Sequence, residues 1–343
     1  MAPSQHLDSD ALHAVLGEHT ARTAHRHVGL IAGAVAGSAT ATVATGRESL
    51  TGATPSSRTV LQIGSVTKTF TCLALADAVV SGSLSLQTPL AEIVRETPTI
   101  SNGEQITLGH LATHTSGLPR LPKGLRRQAL HNRADPYSGF TRADLLAALR
   151  SSRPHAPGTR VRYSNFGAAL LGEALSQHHQ LPYEQVIAER VTGPLGLTDT
   201  TTEIGAELAP RTAASHSRRK RPVPAWNLGA MPGAGALWST TQDLQRYLQT
   251  LINPQSSAMP QALHLVQQPL ATANRWVRLA LGWHLSPLRG TIHTMIWHNG
   301  ATAGSYSYAG FIPETNLGVV VLSNTGRSVD ALGVRLLTAL AKL

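Results

Sequence analysis

A single cysteine, Cys72, stands in 343 residues, so no disulfide can close within the chain, and the thiol reads as a small buried apolar side chain. Aromatic residues make up only 4% and charged residues only 14%. With 42% apolar residues the chain nevertheless has ample material for a core, which excludes bulk disorder. Long hydrophobic runs are missing: residues 28–43 come nearest, and Gly, Ser and Thr interrupt them too often for a membrane span. Residues 1–10 carry neither a basic start nor an apolar segment of signal-peptide length, so the expectation is a cytoplasmic protein with no membrane partner. Acid is the scarcer charge, 19 Asp and Glu against 29 Lys and Arg, for a net charge of +10. The excess gathers in Arg120, Lys123, Arg126, Arg127 and Arg133, and again in Arg218, Arg219, Lys220 and Arg221. Neither cluster is interleaved with stacking aromatics, so both read as solvated loops and not as a nucleic-acid surface. The first is also placed to attract an anionic substrate if it borders a site.

Several motifs are absent as well. No Walker loop and no G-x-G-x-x-G after a strand is found, so no nucleotide cofactor is expected, and no G-x-S-x-G elbow implies an α/β-hydrolase triad. His110 and His114 have a metal-compatible spacing, but no glutamate follows His110 and no third ligand is evident. They read as structural histidines, and no metal is expected.

What is there follows a clear order. Asp8 or Ser9 caps a first helix; residues 28–36 and 39–45, parted by Gly37 and Ser38, read as a β-hairpin. A short strand at 61–63 leads to Ser65 and a buried helix running to about Ser81. Residues 84–197 are mostly helical, clearest at 108–112, 142–149, 167–176 and 183–191, with a long basic loop at 119–136. An amphipathic helix at 240–251, capped by Ser239 or Thr240, precedes strands at 276–284, 291–298, 305–312 and 318–322 and a closing helix at 329–342. The pattern predicts an α+β fold whose antiparallel sheet draws on both ends of the chain. It forms one catalytic domain over 1–343, with an α/β lobe from 1–83 and 198–343 and a helical lobe from 84–197.

Chemistry is concentrated around Ser65-Val66-Thr67-Lys68. Residues three apart share a helix face, so Lys68 overhangs Ser65, whose place at a helix N-terminus favours developing negative charge. A serine hydroxyl needs a base, and a lysine amine can serve. Alone, the same four residues also fit a helix cap followed by a surface lysine. Tyr163 and Asn165 precede an apolar helix, where the phenol can share the base role and the amide can orient Lys68 or a substrate amide. His298, Asn299, Gly300 and Ala301 lie between two strands: Gly300 permits a close backbone approach, and the N–H of Ala301 can join that of Ser65 as an oxyanion hole. His298 is expected in the same cleft, with a charge that depends on pH. Trp226, Trp238, Tyr306 and Tyr308 are candidates for an acyl pocket or for core packing.

Six stretches together resemble the serine β-lactamase and penicillin-binding superfamily, in its class C β-lactamase-like branch of DD-peptidases, family VIII carboxylesterases and transacylases. They are IGSVTKTF at 63–70, LATHTSGLP at 111–119, YSN at 163–165, PGAGALWST at 232–240, HNG at 298–300 and GVVVLSN at 318–324. The resemblance implies a β-lactamase/transpeptidase-like fold, Ser65 as the acylated nucleophile, Lys68 and Tyr163 as the proton-handling pair, and Asn165 as a supporting residue. His298 replaces the Lys that many relatives carry, which makes the local cation conditional on pH. No counterpart of the class A deacylating glutamate is found.

The reading is therefore a serine acyl-transfer enzyme that forms an acyl-Ser65 intermediate from a small-molecule ester or amide. Release to water and release to an amine acceptor both stay open. β-Lactamase or D-Ala-D-Ala carboxypeptidase activity, and a non-catalytic relative that senses a ligand in the same cleft, are the alternatives.

Overall fold

The computed structural model describes residues 7–98 and 105–343. The first six residues, part of the stretch read for a leader, lie outside the described residues, as do the side chains of Arg126 and His131. Strands β1 (Gly29–Ala36) and β2 (Ala39–Gly46) form the expected hairpin, turned at Gly37 with φ +59°. Two-residue strands β3 (Leu61–Gln62) and β4 (Trp238–Ser239) pair with each other beside Ser65. The C-terminal part supplies β5 (Ala271–Asn274), β6 (Val277–Leu279), β7 (His284–Pro287), β8 (Thr294–Ala301), β9 (Tyr306–Ile312) and β10 (Leu317–Ser323). The main sheet has eight strands in the order β2-β1-β10-β9-β8-β7-β6-β5, antiparallel throughout. The N-terminal hairpin docks on the last strand, so the fold is α+β with a sheet built from both chain ends.

Strands β1 and β10 read as nearly continuous apolar runs because both faces of the sheet are covered. Leu30, Ala32, Ala34, Val319 and Val321 face a core formed with helices Ser9–Ala24 and Asp330–Leu340. Ile31, Val35, Val320 and Leu322 face the opposite core, with helices Thr67–Val80 and Thr241–Ile252. The Thr67–Val80 helix is buried from Thr67 to Ala76 on every side, as expected of an element at the centre of the molecule. Residues 84–197 contribute helices Leu90–Ile93, Leu108–Ala112, Leu125–His131, Arg142–Arg150, Asn165–His179 and Tyr183–Ile187. No helix among the described residues is long and apolar enough to cross a membrane.

Local details depart from the sequence reading. Ser65 sits in a 3₁₀ turn, Gly64–Val66, ahead of the α-helix, because Gly64 takes φ +50°, which swings the chain before the helix settles. The 119–136 loop contains the helix Leu125–His131, too short to leave a readable period. The helix after Tyr163 begins at Asn165, since Ser164 caps it by accepting the Gly167 N–H at 2.9 Å. The strand expected at 276–284 is broken at Gly282, φ +74°, into β6 and β7. Strand β5 escaped notice because its short polar edge sequence is largely exposed.

Candidate active site

The site begins where two backbones touch. A Cβ on Gly64 would lie 2.7 Å from the amide nitrogen of Ala301, and one on Gly300 would lie 1.9 Å from the carbonyl oxygen of Ile63. Only glycines allow the Ser65 turn to rest directly on the end of β8. Strand β7 pairs with β8 only as far as Trp297, so β8 residues 298–301 have no partner strand on that side. Ser65, Gly300 and Ala301 line the resulting cleft of about 630 Å³ together with Tyr163 and Asn165.

Lys68 is 2% exposed, and its Nζ lies 3.0 Å from Ser65 Oγ. It donates to the Ala234 carbonyl at 2.6 Å. That carbonyl comes from the short turn Pro232–Gly235, which together with Leu237 just after it is fastened to the Ser65 helix at two further points. The Leu237 N–H donates to Thr67 Oγ1 at 3.1 Å, and Thr71 Oγ1 donates to the Gly233 carbonyl at 3.0 Å. The amine is thus aimed by backbone, and among the described residues no carboxylate pairs with it.

Tyr163 completes the group. Lys68 Nζ stands 5.0 Å from the centre of its ring, the Arg120 guanidinium 5.4 Å, and the His114 ring 4.4 Å. The Ser164 N–H donates to His114 Nδ1 at 3.3 Å and the Ser164 hydroxyl donates to the Pro119 carbonyl at 2.7 Å. The 111–119 stretch is therefore the bracket that holds the Tyr163 loop. His114 is held well below the usual imidazole range by burial first, then by Lys68 and His284, which keeps it neutral and suits its role as acceptor. Asn165 lines the cleft, and its Oδ1 is buried without a partner among the described residues.

His298 is not in the cleft. It is 1% exposed and lies behind the wall, its ring 6.3 Å from that of Tyr163 and 4.9 Å from His284. Its Nδ1 lies 2.6 Å from the Asn299 carbonyl, which can only accept, so Nδ1 carries the proton. Burial pushes its pKa well below 6.5, helped by His284 and Lys68. The imidazole is neutral, and Nε2 presents a bare lone pair without a partner among the described residues. The pH-dependent cation expected here is corrected to a neutral group, because β8 turns this side chain into the interior.

Of the four aromatic candidates, Trp226 and Tyr306 line the cleft. Trp238 instead pairs with Gln62 in β4, and Tyr308 is fully buried in β9 beneath Gly333. Tyr137, His284 and Trp297 line the cleft without having been singled out, and Arg120 was visible only as one member of a basic run. His110 closes a cap, its Nδ1 accepting from the Thr107 N–H at 3.2 Å. No group of three or more His, Cys, Asp or Glu among the described residues could hold a metal.

An antiparallel sheet between helices, with a Ser-x-x-Lys turn at the free end of an inner strand, defines a serine enzyme of the β-lactamase and penicillin-binding superfamily. The sequence agrees: the family model described as Beta-lactamase matches residues 18–342, and the chain belongs to that family. It is 29% identical to the D-alanyl-D-alanine-carboxypeptidase/endopeptidase AmpH of Escherichia coli (strain K12), over 78% of this chain and 71% of the relative. A Beta-lactamase of the same organism is 28% identical over 78% of this chain and 76% of its own length. Protein flp of Staphylococcus aureus (strain N315) is 27% identical over 78% of this chain and 53% of its own length.

Proposed function

We propose that this enzyme takes the acyl group of an ester or amide onto Ser65 and releases it to water or to an amine. The observation that carries the reading is the 3.0 Å separation of Lys68 Nζ and Ser65 Oγ. The Lys68 free amine removes the hydroxyl proton as Oγ bonds to the carbonyl carbon and the carbonyl electrons move onto oxygen. The N–H groups of Ser65 and Ala301 stabilise that oxyanion. As the tetrahedral species collapses, the bond to the leaving alcohol or amine breaks and the Tyr163 phenol protonates it, recovering its proton from Lys68. Water or an acceptor amine then repeats these steps in reverse. Asn165, which lines the cleft beside Tyr163, orients the acyl chain.

A D-alanyl peptide or a β-lactam is a second reading, supported by the similarity to AmpH and to the Escherichia coli Beta-lactamase. The neutral, inward His298 weighs against it as a binder of a substrate carboxylate. Intact-protein mass spectrometry tests both readings. A fluorophosphonate and an activated ester should each add their mass to the wild type and leave Ser65→Ala unlabelled. Full ester turnover by Ser65→Ala would refute the mechanism. Faster acylation by a β-lactam or a D-Ala-D-Ala peptide than by simple esters would favour the second reading. Absence of adducts across the whole panel would indicate a ligand-sensing relative. Added amines that yield amide at the expense of acid would identify transfer.

A further inference from the structure

Beside the catalytic cleft lies a second cavity of about 420 Å³. Four arginines from separate parts of the chain line it: Arg26 after the first helix, Arg218 from the second basic run, Arg327 from the turn before the last helix, and Arg335 from that helix. Lys220, two residues after Arg218 in that run, anchors the region by donating to the His25 carbonyl at 2.7 Å. Among the described residues no Asp or Glu lines the cavity. Elsewhere, Arg22, Arg142, Arg190 and Arg211 each meet a carboxylate; these four arginines make no ion pair among the described residues. Arg327 Nε is buried from solvent with no hydrogen-bond partner among the described residues. His27, on the cavity wall, is lowered to about 4 by burial first and then by Arg327, Lys220 and Arg26. Four unpaired guanidiniums around one cavity repel one another, an arrangement that an anion between them would relieve.

The cavity also adjoins the reaction site. Tyr306 and Ser328 line both spaces, and Tyr306 stands opposite Ala301 in the β8–β9 ladder, about 5 Å away by cross-strand geometry. A ligand whose carbonyl reaches Ser65 can thus extend past Tyr306 into the arginine cavity.

We propose that this cavity is a subsite for a phosphate or diphosphate ester carried by the substrate, held by Arg26, Arg218, Arg327 and Arg335 while the acyl carbonyl rests on Ser65. The catalytic half of this statement rests on the acyl-Ser65 reading; the anion-binding half does not. Guanidinium forks match phosphate oxygens in pairs, and several forks suit a group with more than one negative charge. The phosphate belongs to the acyl donor if it rides on the leaving group, and to the acceptor if it rides on the amine.

Titration calorimetry with inorganic pyrophosphate at fixed ionic strength tests the subsite directly. Wild-type protein and Ser65→Ala should bind it alike, whereas Arg327→Gln/Arg335→Gln should bind roughly tenfold more weakly or worse. Arg26→Gln provides a second variant in a different element. Unchanged pyrophosphate affinity in both variants, or no binding to the wild type at about 10 mM, would overturn the proposal. The double variant should raise KM for a phosphorylated ester if the donor carries the group, and for a phosphorylated amine if the acceptor does. An unchanged KM for both would also overturn it. Retained ester turnover by Ser65→Ala alongside arginine-dependent pyrophosphate binding would remove the catalytic reading and leave the subsite standing.

Discussion

Gly300 lies so close to Ile63 that a Cβ on it would sit 1.9 Å from the Ile63 carbonyl oxygen and 2.4 Å from Ser307 Oγ. Ser307 donates to that same carbonyl at 2.6 Å, reaching it through the gap that the glycine leaves. The Ser65 turn is thereby fixed against β8 and β9 at once. Gly300→Ala must force the strand and the turn apart, moving the Ala301 N–H relative to Ser65 Oγ. A displacement near 1 Å at such a site costs about 100-fold in rate, so kcat/KM for an activated ester should fall by roughly that factor, with a lower Tm. Ser307→Ala loses only the hydrogen bond and should cost about 1 kcal/mol in urea unfolding. A Gly300→Ala enzyme with wild-type kcat/KM would contradict the backbone contact.

Lys68 separates stability from activity. It is buried, bound to the Ala234 carbonyl, and pairs with no carboxylate among the described residues. Lys68→Met keeps the packing of the apolar stem and loses the bond to the Ala234 carbonyl, so it should cost only about 1–3 kcal/mol in urea unfolding. The same variant loses the base and should lower kcat by about 10²- to 10⁴-fold. Tyr163→Phe keeps the ring between His114 and Arg120 and should fold normally while acyl transfer slows. A Lys68→Met protein that is both active and unstable would reverse these assignments.

How much could be read from the chain beforehand depends on how local each feature is. The Ser65–Lys68 pair is one helical turn, and the spacing alone placed the amine over the hydroxyl. The β1–β2 hairpin, carried by Gly37 and Ser38, was equally legible. Features that need partners from distant segments were not. Ala234 shows its part only once Pro232–Gly235 is folded against Thr67 and Thr71, and Arg26, Arg218, Arg327 and Arg335 form a group only after both chain ends meet. His298 was expected to open onto the cleft, whereas it is buried beside Tyr163 and does not line that space. Alternation along β8 assigns it a face, and the burial of that face comes from tertiary packing.

With Nδ1 bonded to the Asn299 carbonyl and its pKa well below 6.5, His298 is uncharged throughout neutral pH. A rate profile dependent on a His298 cation would bend near pH 6.5; none is expected from this residue. His298→Gln should lower the rate through altered packing behind Tyr163, yet its kcat/KM profile should have the same shape as the wild type between pH 5.5 and 8. Disappearance in the variant of an inflection near pH 6.5 would show that the imidazole does charge.

Acid should destabilise the fold before its carboxylates matter. His27 and His284 are both lowered to about 4 by burial, and His114 and His298 are held well below 6.5 for the same first reason. Above pH 6.5 these side chains are neutral in both folded and unfolded chains and contribute no pH dependence. Below 6.5 the unfolded chain takes up protons that the folded one refuses, so stability declines until the pH reaches the folded values. Each such histidine contributes a slope of up to about 1.4 kcal/mol per pH unit in that window. Asp144 and Asp199 are lowered by hydrogen bonds from Thr141 and Arg211, so they act below pH 3.8, outside the window. Asp243, raised by burial, works in the opposite direction but is one group against four. Thermal melts should therefore show Tm falling steeply between pH 6.5 and 4, and His284→Gln should flatten the slope. A Tm independent of pH across that interval would mean that the buried imidazoles reach protons without unfolding.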